Sequence, residues 1–230
     1  MSVYNHQLTV ISDVICPWCY IGKSYLDRAL EKSGNHPFNI QWHPFQLNPE
    51  MPLEGMERKK YLESKFGNRD LAVKAYTPVL EHAALAGLDL SLESITKTPN
   101  TLSAHRLIFW AGQEGVQNAV VSAIFKAYFV EGRDIGENSV LLDISHDTGI
   151  DKEMVSRLLV GKNDYEQIVE LDNAAREMGI NSAPTFILNG KHVITGAQNV
   201  DFWSIFTNLC RIFHKNSVKI WKRSIFRVYH

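Results

Sequence analysis

The chain has 230 residues, of which 45% are hydrophobic and 21% charged, and its formal net charge is −1. Those values suit a globular protein with one large domain, and no apolar run approaches the ~20 residues needed to cross a bilayer. Six of the 24 basic residues and none of the 25 acidic residues lie in residues 211–230. Residues 1–210 therefore have a net charge of −7, which gives them no electrostatic basis for binding nucleic acid.

The first residues lack both the basic segment and the long apolar segment of a secretory signal. We therefore expect a cytoplasmic protein. Three cysteines are too few for a disulfide framework, and in a reducing compartment a close pair is expected to cycle between dithiol and disulfide.

A strand, a helix and a second strand are predicted at the start of the chain. Residues 7–12 read as a strand, and a helix follows from about Pro17 to Lys32. Apolar and polar residues then alternate over residues 38–43, which predicts a strand that Pro44 closes. This βαβ order predicts parallel strands with a right-handed crossover.

The sequence Cys16-Pro17-Trp18-Cys19 lies where the first strand gives way to the helix. The helix N-terminus stabilises a thiolate on Cys16, which makes it the expected nucleophile. Cys19 follows one turn later on the same face, as a resolving thiol requires. A zinc site is the alternative, but the only other cysteine is Cys210 and no second ligand pair stands nearby. The pattern favours redox chemistry over zinc binding or inert structural cysteines.

Helical spacing of apolar residues dominates the middle of the chain, after a loop at residues 48–56. It predicts an inserted segment without strands, whose helices lie near residues 56–66, 69–86, 101–114, 116–131, 138–148 and 151–160, and a further helix at 163–178.

Strand character returns near the C-terminus. Residues 184–188 and 192–195 flank Asn189-Gly190, a strong hairpin signal, and a last helix begins at about Val200. Joining the two ends of the chain gives a small sheet with one antiparallel edge and helices on both faces. Cys210 is expected to be a buried free thiol in the last helix.

This order of elements resembles the thioredoxin fold with the helical insertion of the DsbA family, and most closely its FrnE-like branch. The resemblance rests on Asp13 to Gly22, which includes the two cysteines, and on the segments Trp42-His43-Pro44-Phe45-Gln46-Leu47-Asn48-Pro49, Asn100-Thr101-Leu102-Ser103-Ala104-His105-Arg106, Ser182-Ala183-Pro184-Thr185-Phe186 and Gly196-Ala197-Gln198.

The resemblance implies an α/β, thioredoxin-like fold with an inserted all-helical subdomain. Residues 1–50 and 163–210 would form the thioredoxin-like domain and residues 51–162 the insertion. Residues 211–230 match nothing expected of the family. Their basic residues recur every four positions, which resembles a basic amphipathic helix for a membrane or a partner, although a helix docked on this chain or an irregular tail is favoured.

The resemblance also implies substrate-binding residues around the cysteines. Pro184 is expected to follow a cis peptide bond opposite Cys16, where the Ala183 backbone can pair with an extended substrate. Pro17 and Trp18 would shape the same substrate-binding surface. By itself Pro184 is better explained as a proline that begins a strand, and only the cysteine motif and Gly196-Ala197-Gln198 at the expected places favour the cis proline. Trp18 fits simple packing equally well.

Three residues of the insertion are accessory candidates. Asn100 would cap a helix that starts at Thr101. The resemblance suggests that this helix faces the active site, where His105 or Arg106 could stabilise a thiolate or bind a carboxylate. Ordinary packing is the alternative for each.

The sequence therefore predicts a thiol–disulfide oxidoreductase that exchanges disulfides with protein or small-molecule substrates. It needs no metal or cofactor, although glutathione would serve as redox partner or co-substrate. The alternative is a glutathione-dependent isomerase or transferase of the kappa or 2-hydroxychromene-2-carboxylate isomerase type, in which a single hydroxyl group usually stands at the position of Cys16. A non-catalytic binding module, which would not need either thiol, is a third class.

Overall fold

The protein is built on a four-stranded mixed sheet. In a computed structural model, which describes residues 6–212, β1 (His6–Ser12) runs parallel to β2 (Phe38–Pro44). On its other side β1 pairs antiparallel with β5 (Thr185–Leu188), which pairs antiparallel with β6 (His192–Thr195). The order β2-β1-β5-β6 confirms the parallel βαβ unit and the antiparallel edge that the sequence predicts.

Helices connect and cover the strands. In the described part of the chain they are α1 (Pro17–Ser33), α2 (Arg58–Phe66), α3 (Arg69–Ala86), α4 (Leu102–Gln113), α5 (Gln117–Phe129), α6 (Asn138–Asp147), α7 (Lys152–Val160), α8 (Tyr165–Glu177) and α9 (Val200–Ile212). Each agrees with a predicted helix, with ends that move by one to a few residues.

A second, very small sheet lies within the segment predicted to be helical. β3 (Met56–Glu57) pairs antiparallel with β4 (Lys97–Thr98), and a 3₁₀ turn at Leu92–Ser94 precedes β4. The sequence prediction missed both, because two residues are too few to show a period of two and their partners lie 40 positions away. This pair does not join the central sheet.

The turn between β5 and β6 follows the hairpin prediction. Asn189 and Gly190 adopt φ values of 51° and 66°, and the Lys191 N–H group donates to the Leu188 carbonyl at 3.0 Å. Both residue types tolerate a positive φ, which the turn requires at both positions.

The two faces of the sheet are buried by different helices. Leu8 and Val10 of β1 face the large core that also contains α1 and α9, with Trp203 of α9 fully buried against Phe186. Ile11 points to the opposite face, where a smaller cluster includes Ala175 of α8. The alternation follows from the two-residue period of a strand.

The large core continues without a break into the helices between β2 and β5. It includes Leu107 of α4 and Phe125 of α5, together with the residues of β1 and α1. The division of the chain into two domains at residues 50 and 163 stays a prediction, although all four strands of the central sheet come from residues 6–44 and 185–195.

The C-terminal helix ends where the described residues end. Cys210 of α9 is buried and unpaired, as predicted, and burial raises the pKa of its thiol to about 12. Arg211 donates to the Ser33 carbonyl at 2.7 Å, which ties the end of α9 to the end of α1. The amphipathic helix proposed for residues 211–230 lies, apart from Arg211 and Ile212, outside the described residues. No helix among residues 6–212 is long and apolar enough to cross a membrane.

The shared core makes a stability prediction. Leu107 is fully buried, so Leu107→Ala should lower the free energy of unfolding by about 3 kcal/mol through lost burial and a new cavity. The control is Leu80→Ala, because Leu80 is also helical but 47% exposed, and its change should stay below about 0.5 kcal/mol. Urea denaturation measures both, and similar losses would contradict the assigned core.

Candidate active site

Cys16 lies directly before the first turn of α1. It has an extended backbone (φ −87°, ψ 112°), Pro17 occupies the first turn, and the Cys16 carbonyl accepts from the N–H groups of Cys19 and Tyr20. The unpaired N–H groups of the helix start place partial positive charge beside Cys16. Its thiol donates to the Ala183 carbonyl at 3.5 Å.

Cys19 lies one turn along α1. Both cysteines are buried, with 1% of the surface of Cys19 and 4% of that of Cys16 exposed. Burial raises the pKa of the Cys19 thiol well above its usual value, and the neighbouring Cys16 side chain raises it further. Interactions with the Ser12 hydroxyl group and the Asp13 backbone lower it. Cys16 and Cys19 are both unpaired thiols in this structure. The two cysteines therefore differ in what surrounds them, as a nucleophile and a resolving thiol should.

A loop from the other end of the chain lies against these cysteines. The Ala183–Pro184 peptide bond is cis, as predicted. At Gly22 of α1, an added Cβ would lie 3.2 Å from Pro184 Cγ and 3.4 Å from Ala197 Cα. Glycine at this position thus lets the proline loop and the residues after β6 approach the helix, which brings three of the sequence motifs together.

Asp13 connects this centre to two other parts of the chain. Its carboxylate is fully buried and accepts from the Leu47 N–H group at 2.7 Å, while its carbonyl accepts from the Cys16 N–H group at 3.1 Å. The other carboxylate oxygen lies 3.3 Å from Nε2 of buried His105. Sequence reasoning assigned no role to Asp13 or Ser12. The available signal was their position between the first strand and Cys16.

Trp18 forms part of the surface beside the cysteines. It is half-buried, and its ring meets His82 of α3 edge-on at 5.3 Å. Trp18 also packs against the large core, as its alternative role in simple packing predicts. Substrate binding by Pro17, Trp18, Ala183 and Pro184 stays a prediction.

The accessory candidates separate into two groups. Asn100 accepts from the Leu102 N–H group at 3.0 Å and donates to the Met51 carbonyl at 2.7 Å. It therefore helps to start α4, which begins at Leu102 rather than at Thr101. His105 reaches the centre through Asp13. Any catalytic role for either residue stays a prediction.

Arg106 points elsewhere. Its guanidinium donates to the carbonyls of Leu158, Gly161 and Asn163 at 2.5–2.9 Å, and it stacks over the Trp110 ring. These contacts close the C-terminal end of α7. They give Arg106 a structural function and leave its proposed role towards a thiolate without a contact that supports it.

The described part of the chain also contains a cavity away from the thiols. A cavity of about 590 Å³ lies beside β2 and is lined in part by Trp42, His43 and His105, but neither Cys16 nor Cys19 lines it. Within residues 6–212, no group of three or more His, Cys, Asp or Glu side chains is arranged to hold a metal ion.

The family assignment follows from a comparison with family profiles. The profile of the DSBA-like thioredoxin domain matches residues 7–205. The chain belongs to this family. The match runs from the start of β1 into α9 and so includes the cysteines, the helices and the proline loop.

Several solved structures have a similar fold. A probable DsbA oxidoreductase from Streptomyces coelicolor has a TM-score of 0.78 at 22% identity, covering 89% of each chain. A 2-hydroxychromene-2-carboxylate isomerase has 0.67 at 20% identity, covering 90% of this chain and 97% of the isomerase. The cytosolic disulfide reductase DsbM from Pseudomonas aeruginosa has 0.66 at 20% identity, covering 90% and 100%, and was also solved with GSH. At these identities the likeness shows the fold alone.

The contacts of Arg106 make a prediction that separates structure from catalysis. Arg106→Met should lower the free energy of unfolding by about 3 kcal/mol, because it removes three charge-assisted hydrogen bonds to part-buried carbonyls. Disulfide exchange per folded molecule should not change. Denaturation curves and exchange assays on the same samples measure the two quantities.

The matched control is Arg157→Met on α7, since Arg157 is exposed. Its effect on stability should stay below about 0.5 kcal/mol. A loss of exchange by Arg106→Met that exceeds the loss of folded protein would instead give Arg106 a part in catalysis.

Proposed function

We propose that this protein is a thiol–disulfide oxidoreductase that works through Cys16 and Cys19. The observation that carries the proposal is the placement of two unpaired thiols one helical turn apart. The Cys16 thiol is hydrogen-bonded to the carbonyl of Ala183, the residue before cis Pro184. Membership of a family that includes disulfide oxidoreductases supports it.

In the first step, the Cys16 thiolate attacks one sulfur of a substrate disulfide. The substrate S–S bond breaks, a mixed disulfide forms on Cys16, and the other substrate sulfur leaves as a thiolate that takes a proton from water. The start of α1 favours the anionic form of the attacking sulfur.

In the second step, Cys19 loses its proton and attacks the Cys16 sulfur. The Cys16–Cys19 disulfide forms and the second substrate sulfur leaves as a thiolate. Two electrons have then passed from the protein dithiol to the substrate, and a reductant must restore the dithiol. The same steps in reverse oxidise a substrate dithiol.

The proline loop supplies a place for the substrate. Because the Ala183 carbonyl lies 3.5 Å from the Cys16 sulfur, an extended substrate segment paired with the Ala183 backbone would carry its own sulfur to Cys16. The half-buried ring of Trp18 offers an apolar contact beside it.

Glutathione is the proposed redox partner. The support is the fold shared with DsbM, which was solved with GSH and is described as a cytosolic disulfide reductase. By the same comparison we favour a cytoplasmic location and the direction in which the protein reduces its substrates. Both belong to the proposal.

Three single substitutions test this mechanism with insulin reduction and with glutathione disulfide. Cys16→Ser should lower turnover to the uncatalysed rate, because a serine hydroxyl supplies almost no anion at neutral pH. Cys19→Ser should still attack but stall, so that a glutathione adduct on Cys16 accumulates and mass spectrometry detects it. Cys210→Ser is the control and should keep turnover within about twofold, because burial holds the pKa of that thiol far above neutral pH.

The isomerase or transferase alternative predicts a different pattern. There Cys19→Ser would be nearly silent, and activity would saturate with glutathione. Retained conjugating activity without an adduct on either cysteine would refute the redox proposal, and an adduct on Cys19 would reverse the two roles.

A further inference from the structure

Ser12 is a buried polar residue whose hydroxyl group lacks a hydrogen-bond partner within residues 6–212. It is the last residue of β1, and only 4% of its surface is exposed. Leaving a buried hydroxyl unpaired costs free energy, and such groups are rare in folded proteins. A hydrophobic side chain in this place would avoid that cost, so the hydroxyl group needs an explanation.

Ser12 has the same parity along β1 as Leu8 and Val10, so its side chain points to the face of the sheet that packs against α1. Cys19 of α1 is buried in that same core, with apolar side chains and Cys16 around it.

The interactions that favour the anionic form of Cys19 come from the Ser12 hydroxyl group and the Asp13 backbone, where the group must be the N–H, because a carbonyl would repel an anion. The Asp13 carboxylate is occupied by the Leu47 N–H group and His105.

We propose that the Ser12 hydroxyl group, together with the Asp13 N–H group, donates a hydrogen bond to the Cys19 thiolate that attacks the mixed disulfide. The inference rests on the proposed function and adds to it a donor site for the second step. Ser12 would then be a catalytic residue, because it touches a reacting sulfur.

The chemistry of a hydroxyl group suits this task. Before the step, Cys19 carries its proton and the Ser12 hydroxyl group has no hydrogen-bond partner in the described residues. Once that proton has left to solvent, the Ser12 O–H can rotate and donate to the sulfur anion. Rotation of one hydroxyl group is a small reorganisation when the charge appears. As Cys19 bonds to the Cys16 sulfur, the negative charge passes to the departing substrate thiolate.

The matched pair for the test is Ser12→Thr and Ser12→Val, whose side chains have nearly the same shape and differ in the hydroxyl group. Ser12→Ala removes the hydroxyl group without adding volume and covers the case in which a larger side chain does not fit. Each variant is made in the full chain with Cys210→Ser, so that Cys16 and Cys19 are the only thiols.

In the first experiment, the reduced protein reacts with excess glutathione disulfide and is quenched in acid at successive times. Mass spectrometry follows the adduct on Cys16, whose formation reports the attack by Cys16 and whose decay reports the attack by Cys19. Ser12→Val and Ser12→Ala should slow the decay roughly tenfold, as expected for a lost hydrogen bond to a charged group. Formation should change less than about twofold, and Ser12→Thr should restore the decay.

In the second experiment, Cys16→Ser is added so that Cys19 is the only thiol, and the ultraviolet absorbance of its thiolate is titrated. The pKa of Cys19 should be higher by about one pH unit in the Ser12→Val and Ser12→Ala variants than in the protein that keeps Ser12. This measurement does not depend on whether the protein exchanges disulfides.

The outcomes separate the two proposals. Absence of both an adduct on Cys16 and a Cys16–Cys19 disulfide in the protein that keeps Ser12 refutes the proposed function, while the titration still decides whether Ser12 stabilises the thiolate. Unchanged decay and an unchanged titration in Ser12→Ala overturn the role of Ser12. Equal slowing of formation and decay, with lower thermal stability and no shift of the titration, shows a structural role only.

Discussion

The rest of the centre depends on the hydrogen bonds that the buried residue Asp13 makes. A fully buried charge is costly unless each oxygen has a partner, and here one oxygen accepts from the Leu47 N–H group while the other lies 3.3 Å from His105. The backbone of the same residue accepts from the Cys16 N–H group. Through its side chain and its backbone, this one residue fixes the end of β1, the segment after β2 and helix α4 relative to Cys16. A shift in any of these would expose or unpair the carboxylate.

This arrangement gives the two cysteines unequal surroundings although they are three residues apart. Cys16 lies at the N-terminal end of α1, where its thiol donates to the Ala183 carbonyl and 4% of its surface is exposed. Cys19 is enclosed, and burial opposes its ionisation. An exchange reaction with a first attack and a later, controlled second attack needs this difference. In the proposed mechanism the Cys19 thiol ionises at the second step, when it attacks the mixed disulfide, and the Ser12 hydroxyl and Asp13 N–H groups stabilise its anion.

The helices between β2 and β5 contribute to the centre as well as to the core. They share one continuous hydrophobic cluster with the sheet, and α4 delivers His105 to Asp13. Arg106, the next residue, serves a different purpose, because it turns to the end of α7 and satisfies three carbonyls there. Adjacent residues on a helix point about 100° apart, so one can reach the centre while the other holds the surrounding helices together.

The sequence by itself determined the features that depend on near neighbours. The strand and helix order, the turn at Asn189-Gly190 and the placement of Cys16 at a helix start follow from local periodicity and local backbone preferences. The resemblance to the DsbA family also implied the cis bond before Pro184, which the structure contains. Only the tertiary structure decided the contacts between distant residues. Asp13 and His105 are 92 positions apart, the strands β3 and β4 pair across 40, and the partners of Arg106 lie more than 50 positions away. Such contacts result from how the whole core packs, and no short segment encodes them. The unpartnered hydroxyl group of Ser12 belongs to the same class, because a serine at the end of a strand looks ordinary until the fold encloses it beside Cys19.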